Sequence, residues 1–208
     1  ASGVAPLFGT EDLRTFVQFS FSSGLDPETF QRDPLNLAVV VDVSGSMSDW
    51  TGQETSKMEA VKNALHLVVD QLSEDDRLAI VLFNGSAEVL VPSAPVTDPS
   101  RLKDLIDTIR AGGATNIEAG LAMGYAQVLA TSQPNQRSDR VMLFTDALPN
   151  TGLTGEDSFL HLAITHAELG IGLTTFGVGF NFGQELVVEL SQIRGAAYFF
   201  LETSDRTQ

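Results

Sequence analysis

The chain has 208 residues, enough for one large domain, and at this length a compact fold buries ~70 % of its unfolded surface. A hydrophobic content of 43 % with a mean hydropathy of +0.07 excludes a disordered chain, and the absence of cysteine excludes a disulfide scaffold, a thiolate zinc site and a cysteine nucleophile. Twelve basic against 27 acidic residues leave a net charge of −15, which repels nucleic-acid backbones and anionic lipid headgroups and suits a cation or a basic partner.

In chain order, Thr15 to Ser22 alternates Val17, Phe19 and Phe21 on one face, which predicts a strand. A turn-rich stretch ends at Pro34, and Asn36 to Val43 is then a continuous apolar run, the pattern of a strand buried on both faces. Ser56 to Leu72 carries Met58, Val61, Leu65, Val68 and Leu72 at helical spacing with Ser56 as N-cap. Leu78 to Phe83 is a second buried strand. Asn84-Gly85 predicts a hairpin returning antiparallel through Ala87 to Val91. Asp98-Pro99 opens a helix bearing Leu102, Leu105, Ile106 and Ile109. The loop Gly112 to Asn116 leads into a helix from about Ile117 to Ala130. Strands over Arg140–Thr145, Leu173–Val178 and Ala197–Phe200 alternate with helices over Glu156–Leu169 and Gln184–Ile193. This alternation predicts an α/β fold, a doubly wound, mostly parallel sheet with helices on both faces. Residues 35–208 are expected to form that domain, and residues 1–34 an N-terminal extension with one extra strand. The longest apolar run, Leu37 to Val41, is too short to span a bilayer, so no direct membrane insertion is expected. The first residues do not read as a signal peptide, and the abrupt start at Ala1 reads as a piece excised from a longer protein with neighbouring domains.

In open α/β sheets, ligands bind beyond the carboxyl ends of the strands where strand order reverses. Three such ends carry oxygen donors: Asp42-Val43-Ser44-Gly45-Ser46, Thr115 in the loop before the third main helix, and Asp146 after Phe144-Thr145. Extended alternation puts Asp42, Ser44 and Ser46 on one side, and Gly45 lets the backbone approach a ligand. A set of hydroxyls and carboxylates suits a hard cation such as Mg²⁺. Two carboxylates with three neutral hydroxyls leave the ion electrophilic, with reason to recruit an external carboxylate.

Asp42-x-Ser44-x-Ser46 followed by Thr115 and Asp146 resembles the metal-ion-dependent adhesion site of von Willebrand factor type A domains, with all five motif positions in order. The resemblance runs from about Leu35 to Glu202. Its runs DVSGSM, GGATN and FTDALPNTG are similar to those of bacterial and inter-α-trypsin-inhibitor-like members. It implies about six strands with one short antiparallel edge strand. It also implies Mg²⁺ (Mn²⁺ or Ca²⁺ as alternatives) held by Ser44, Ser46 and Thr115, with Asp42 and Asp146 binding directly or through water. A protein ligand offering an exposed Asp or Glu would complete the ion, and Trp50, Asn116 and Ala147 would stand on the partner-binding rim. Two features depart from many relatives: the inserted segment Ser48 to Thr55, which places Trp50 beside the ion, and Ala147 where Gly is common.

Blander readings are preferred for other features. His66, His161 and His166 read as packing or surface residues. Gly177-Val178-Gly179 misses a dinucleotide fingerprint, Asn84-Gly85-Ser86 is a turn rather than a glycosylation site, and Glu74-Asp75-Asp76 is a solvated helix end. Enzyme function is not expected: Ser44 stands where a dehalogenase-like phosphoryl transferase has its second Asp, and neither serine sits in a Gly-x-Ser-x-Gly elbow. The expectation is a cation-dependent, adhesion-type protein-binding module, extracellular, at the cell surface or periplasmic. The alternatives are an intracellular assembly module working with an AAA+ ATPase and an architectural domain of a larger protein.

Overall fold

The computed structural model describes residues 2–6, 13–17, 32–50, 55–133, 136–146, 156–179, 189 and 192–201. The chain divides into two units, Ala1–Arg32 and Asp33–Gln208. In the first, β1 (Ser2–Pro6) pairs antiparallel with β2 (Leu13–Val17), Ser2 opposite Val17 and Pro6 opposite Leu13. The strand expected over Thr15–Ser22 therefore begins earlier, at Leu13, and its residues 18–22 lie outside the described residues. It pairs with β1 in a separate two-stranded sheet.

The second unit is a six-stranded sheet in the order β5-β4-β3-β6-β7-β8. Its strands are β3 (Leu35–Asp42), β4 (Arg77–Phe83), β5 (Ala87–Pro95), β6 (Ser138–Thr145), β7 (Gly172–Val178) and β8 (Ala197–Leu201). All pairings are parallel except β4 with β5 at one edge. Helices α1 (Lys57–Gln71), α2 (Pro99–Asp107), α3 (Ile117–Leu129) and α4 (Glu156–Glu168) cover the sheet. This is the doubly wound α/β architecture expected. Most of the helix expected over Gln184–Ile193 lies outside the described residues. Among the described residues no helix is long and apolar enough to cross a membrane.

The continuous apolar reading of β3 has a direct cause. Leu37, Val39 and Val41 enter one core layer with Met58, Val61, Leu65 and Ile106, whereas Ala38 and Val40 enter the other with Leu121, Tyr125, Val128 and Phe159. Each large aliphatic side chain buried this way contributes about 1.5–3 kcal/mol. On the second face α3 packs closely through Gly120, which meets Phe83, and Gly124, which meets Val40. A Cβ at Gly124 would lie 2.4 Å from Val40 Cγ2, so the helix backbone rides directly on the strand.

The helices start where side chains can satisfy their first N–H groups. Ser56 accepts from Glu59 N (3.2 Å), Asp98 from Arg101 N (3.0 Å) and Asn116 from Ala119 N (3.1 Å). Ile109, expected within α2, lies beyond its end at Asp107 and is buried in the core as the chain leaves.

The acidic run Glu74-Asp75-Asp76 is not a uniformly solvated end. Glu74 and Asp75 are exposed, but Asp76 is fully buried. One of its oxygens accepts from Leu35 N (2.7 Å); the other accepts from Ser73 N (2.7 Å) and Ser73 Oγ (3.0 Å). The fold uses this carboxylate to join the entry of β3 to the turn before β4.

Candidate metal centre

Because β4 lies on one side of β3 and β6 on the other, strand order reverses at the carboxyl end of β3. Asp42 is the last residue of β3 and is fully buried. Its Oδ1 accepts from Ser44 N (2.8 Å) and its Oδ2 from Thr145 Oγ1 (2.6 Å), the final residue of the neighbouring β6. Burial pushes the Asp42 carboxyl above its ordinary value, and the charge of Asp146 adds to the rise. The hydrogen bonds from Ser44 and Thr145 pull it back down.

Extended alternation does not carry past Ser44. The chain turns into a 3₁₀ helix over Gly45–Ser48, with Met47 packed into the core. This turn, rather than a continuing strand, brings Ser46 Oγ to 3.2 Å from Ser44 Oγ. Ser46 Oγ then donates to Asp146 Oδ1 at 2.9 Å. Four of the five expected ligands thus form one hydrogen-bonded chain, Asp42–Ser44–Ser46–Asp146.

Thr115 makes no side-chain hydrogen bond to the other four; it is exposed on a loop fixed beside them. Gly45 N donates to Gly113 O (3.0 Å), Gly112 N to Val43 O (2.7 Å) and Asn116 N to Asn84 O (2.6 Å). The Asn84 amide donates to Gly112 O (3.2 Å) while its Oδ1 accepts from Ser86 N (3.2 Å). Gly113 has φ +99°, and a Cβ there would meet the Asn84 side chain at 3.1 Å, so this position favours glycine on both counts. Asn84 therefore serves as a brace between the β4–β5 hairpin and the Thr115 loop. The hairpin turn has three residues, since Phe83 pairs with Ala87.

Of the expected rim, Asn116 is the α3 cap, with its side-chain oxygen engaged. Trp50 is 69 % exposed and its backbone bridges to Ser56, so its ring does not anchor the loop to the body. Ala147 lies outside the described residues. His66 lies 3.1 Å from Asp107, and His166 stacks on Tyr125 with ring centroids 3.7 Å apart, in the packing roles expected.

Sequence reading missed two residues. Thr145 is a buried hydroxyl that orients Asp42. Lys57 donates from Nζ to Asp146 Oδ2 at 2.6 Å and lies 3.9 Å from Asp49. A signal for Lys57 was present: it occupies the first position of α1, where a positive side chain opposes the helix dipole and needs compensation from elsewhere.

The donor set fits a hard cation. Two carboxylates and two hydroxyls converge, the Asp146 side chain is almost wholly buried, and an ammonium already sits against it. One positive charge against two carboxylates leaves the cluster short of positive charge. Among the described residues no three His, Asp or Glu side chains gather as a metal site, so hydroxyls would have to supply part of any coordination.

The von Willebrand factor type A domain profile matches residues 37–148, from within β3 to just past Asp146 in sequence. The chain is 30 % identical over 175 residues to the uncharacterized protein YfbK of Escherichia coli K12, covering 83 % of this chain and 29 % of YfbK. It is 28 % identical over 126 residues to human inter-alpha-trypsin inhibitor heavy chain H3, covering 57 % of this chain and 14 % of that protein. The chain thus spans less than a third of either relative. The fold superimposes on manganese-loaded Plasmodium vivax TRAP protein with a TM-score of 0.63 at 18 % identity, covering 81 % of this chain and 69 % of that one. With the profile matched over more than half its length, this chain belongs to the von Willebrand factor type A domain family.

Proposed function

We propose that the domain is a divalent-cation-dependent protein-binding module without catalytic activity, its ion completed by an Asp or Glu of a partner. The observation that carries this reading is the hydrogen-bonded chain Asp42–Ser44–Ser46–Asp146 with an ammonium drawn into it. Ser44, Ser46 and Asp146 would hold Mg²⁺ (or Mn²⁺ or Ca²⁺) directly, with Thr115 joining from its braced loop. Asp42 has both oxygens committed to Ser44 N and Thr145, so it would act through water and by fixing the serine loop. A dication held here supplies a strong local attraction for a carboxylate.

That attraction matters because the chain carries a net charge of −15 and would otherwise repel an acidic group. Exposed Trp50 and the Thr115 loop would help set which carboxylate-bearing surface is accepted. The manganese-loaded state of the TRAP protein supports a divalent cation in this fold, and the inhibitor heavy chain and TRAP likenesses support interaction with other proteins.

Calorimetric titration of chelator-stripped protein with Mg²⁺ and Mn²⁺ tests the reading, with a Ser44→Ala, Ser46→Ala double variant as control. A saturable one-site isotherm that the folded double variant lacks is expected. Equal binding by parent and variant, or none by the folded parent, refutes it.

A further inference from the structure

We propose that Lys57 is the internal counter-cation of this site: it holds Asp146 in the metal-free domain and must leave it before a metal can bind, which sets the metal affinity. This inference rests on the metal-binding reading above and adds the residue that tunes it.

Three observations place Lys57 in that role. The first is the engagement of Asp146. Its Oδ1 accepts from Ser46 and its Oδ2 from the Lys57 ammonium at 2.6 Å, and its side chain is only 3 % exposed. Both oxygens are engaged, and a cation arriving at this carboxylate would meet the charge of the ammonium at short range while Lys57 stays. The second is the position of Lys57 itself. As the first residue of α1 it sits at the positive end of the helix dipole, so the pair with Asp146 keeps it there against a local penalty. Its stem passes Gly179 at the end of β7, where an added Cβ would stand 3.2 Å from Lys57 Cε. A side chain at Gly179 would crowd that stem.

The third is an alternative seat. Asp49 Oδ2 lies 3.9 Å from Nζ, and the Asp49 side chain is 70 % exposed. A small swing therefore carries the ammonium from a nearly buried carboxylate to a solvated one, with no break in α1. The charge count favours the exchange: Asp42 and Asp146 together exceed one ammonium and match one dication. Lys57 N donates to Asp49 O (3.0 Å) and Trp50 bridges to Ser56, so Lys57 is also built into the segment that carries the exposed tryptophan.

The test measures Mn²⁺ and Mg²⁺ affinity calorimetrically for the parent and Lys57→Met, which keeps most of the unbranched side chain and removes the charge. Lys57→Met is expected to bind about tenfold tighter or more. It is expected to melt lower than the parent without metal and to close that gap at saturating Mn²⁺. A second measurement needs no variant. Acetylation of Lys57 in the parent, mapped by mass spectrometry, is expected to accelerate several-fold at saturating Mg²⁺ as the amine leaves the buried carboxylate. If the parent binds metal but Lys57→Met binds equally or more weakly, or Lys57 reactivity does not change, the counter-cation role is overturned and the metal centre stands. If neither protein binds metal, both readings fall together.

Discussion

Replacing Gly120 by Ala separates close helix-to-strand packing from ordinary helix propensity, because the two effects have opposite sign. On an open helix face Ala would stabilise by about 1 kcal/mol over Gly. At Gly120 the new methyl would stand 2.6 Å from Phe83 Cγ and Cδ1 and 3.0 Å from Phe83 Cβ. Carbon atoms in contact sit about 3.5–4.0 Å apart, so the overlap is about 1 Å. Phe83 has little room to yield: it is buried, ends β4, pairs with Asp42 and accepts the Val43 N–H through its carbonyl at 2.8 Å. Overpacking of this kind costs about 1–3 kcal/mol, so a net destabilisation of up to about 2 kcal/mol is expected after the propensity gain. For a domain of this size that lowers Tm by up to roughly 8 °C. The assay is thermal and urea unfolding of the parent, Gly120→Ala, Phe83→Leu and the double variant. The double variant should lose less than the sum of the singles, since the smaller side chain vacates the contested space. A rise in Tm for Gly120→Ala would refute the packing argument, because propensity alone would then account for the result.

Two other predictions address buried carboxylates. Asp76→Ala strands Leu35 N and Ser73 N, and should cost about 2–4 kcal/mol in urea unfolding; a loss under 0.5 kcal/mol would remove Asp76 from its bracing role. For Asp42 the folded carboxyl lies above its reference value of 3.8, so the native state binds that proton more tightly than the unfolded chain. Its contribution to metal-free stability should fall as pH rises from 3.8 through the raised folded value, then stay level. Stability of the parent relative to Asp42→Asn, measured in chelator across that range, should decline with pH; a flat or rising difference contradicts the assignment.

How far the sequence reveals this molecule depends on how local each determinant is. The β3 run, the caps at Ser56 and Asp98 and, among the described residues, the strand–helix alternation are encoded within a few residues and appear as read, whereas the cap at Asn116 was not read. The donors Asp42, Ser44 and Ser46 were visible as a strand-end motif, but the 3₁₀ turn that joins the serines was not, because alternation assumes the strand continues. Asp76 looks like surface charge until Leu35, 41 residues away, brings an N–H to it. Lys57 likewise needs Asp146, 89 residues on, before it becomes part of the site. In the first unit the alternation of Val17, Phe19 and Phe21 missed the start of the strand at Leu13, since Leu13 and Arg14 precede the alternating run. The partner strand Ser2–Pro6 has no turn signal of the strength of Asn84-Gly85 to announce it.

The separation of the site residues along the chain has a consequence for biogenesis. Ser46 reaches Asp146 across 100 residues and Asp42 reaches Thr145 across 103, and between them the chain must lay down β4 and β5 before β6 docks on the other side of β3. A nascent chain that has emerged only as far as α3 carries both serines and the threonine yet lacks the carboxylate that unites them. On the proposed metal-binding reading, a cation would therefore reward only the completed sheet, by mass action on the native state, and a carboxylate partner would be engaged only by folded copies.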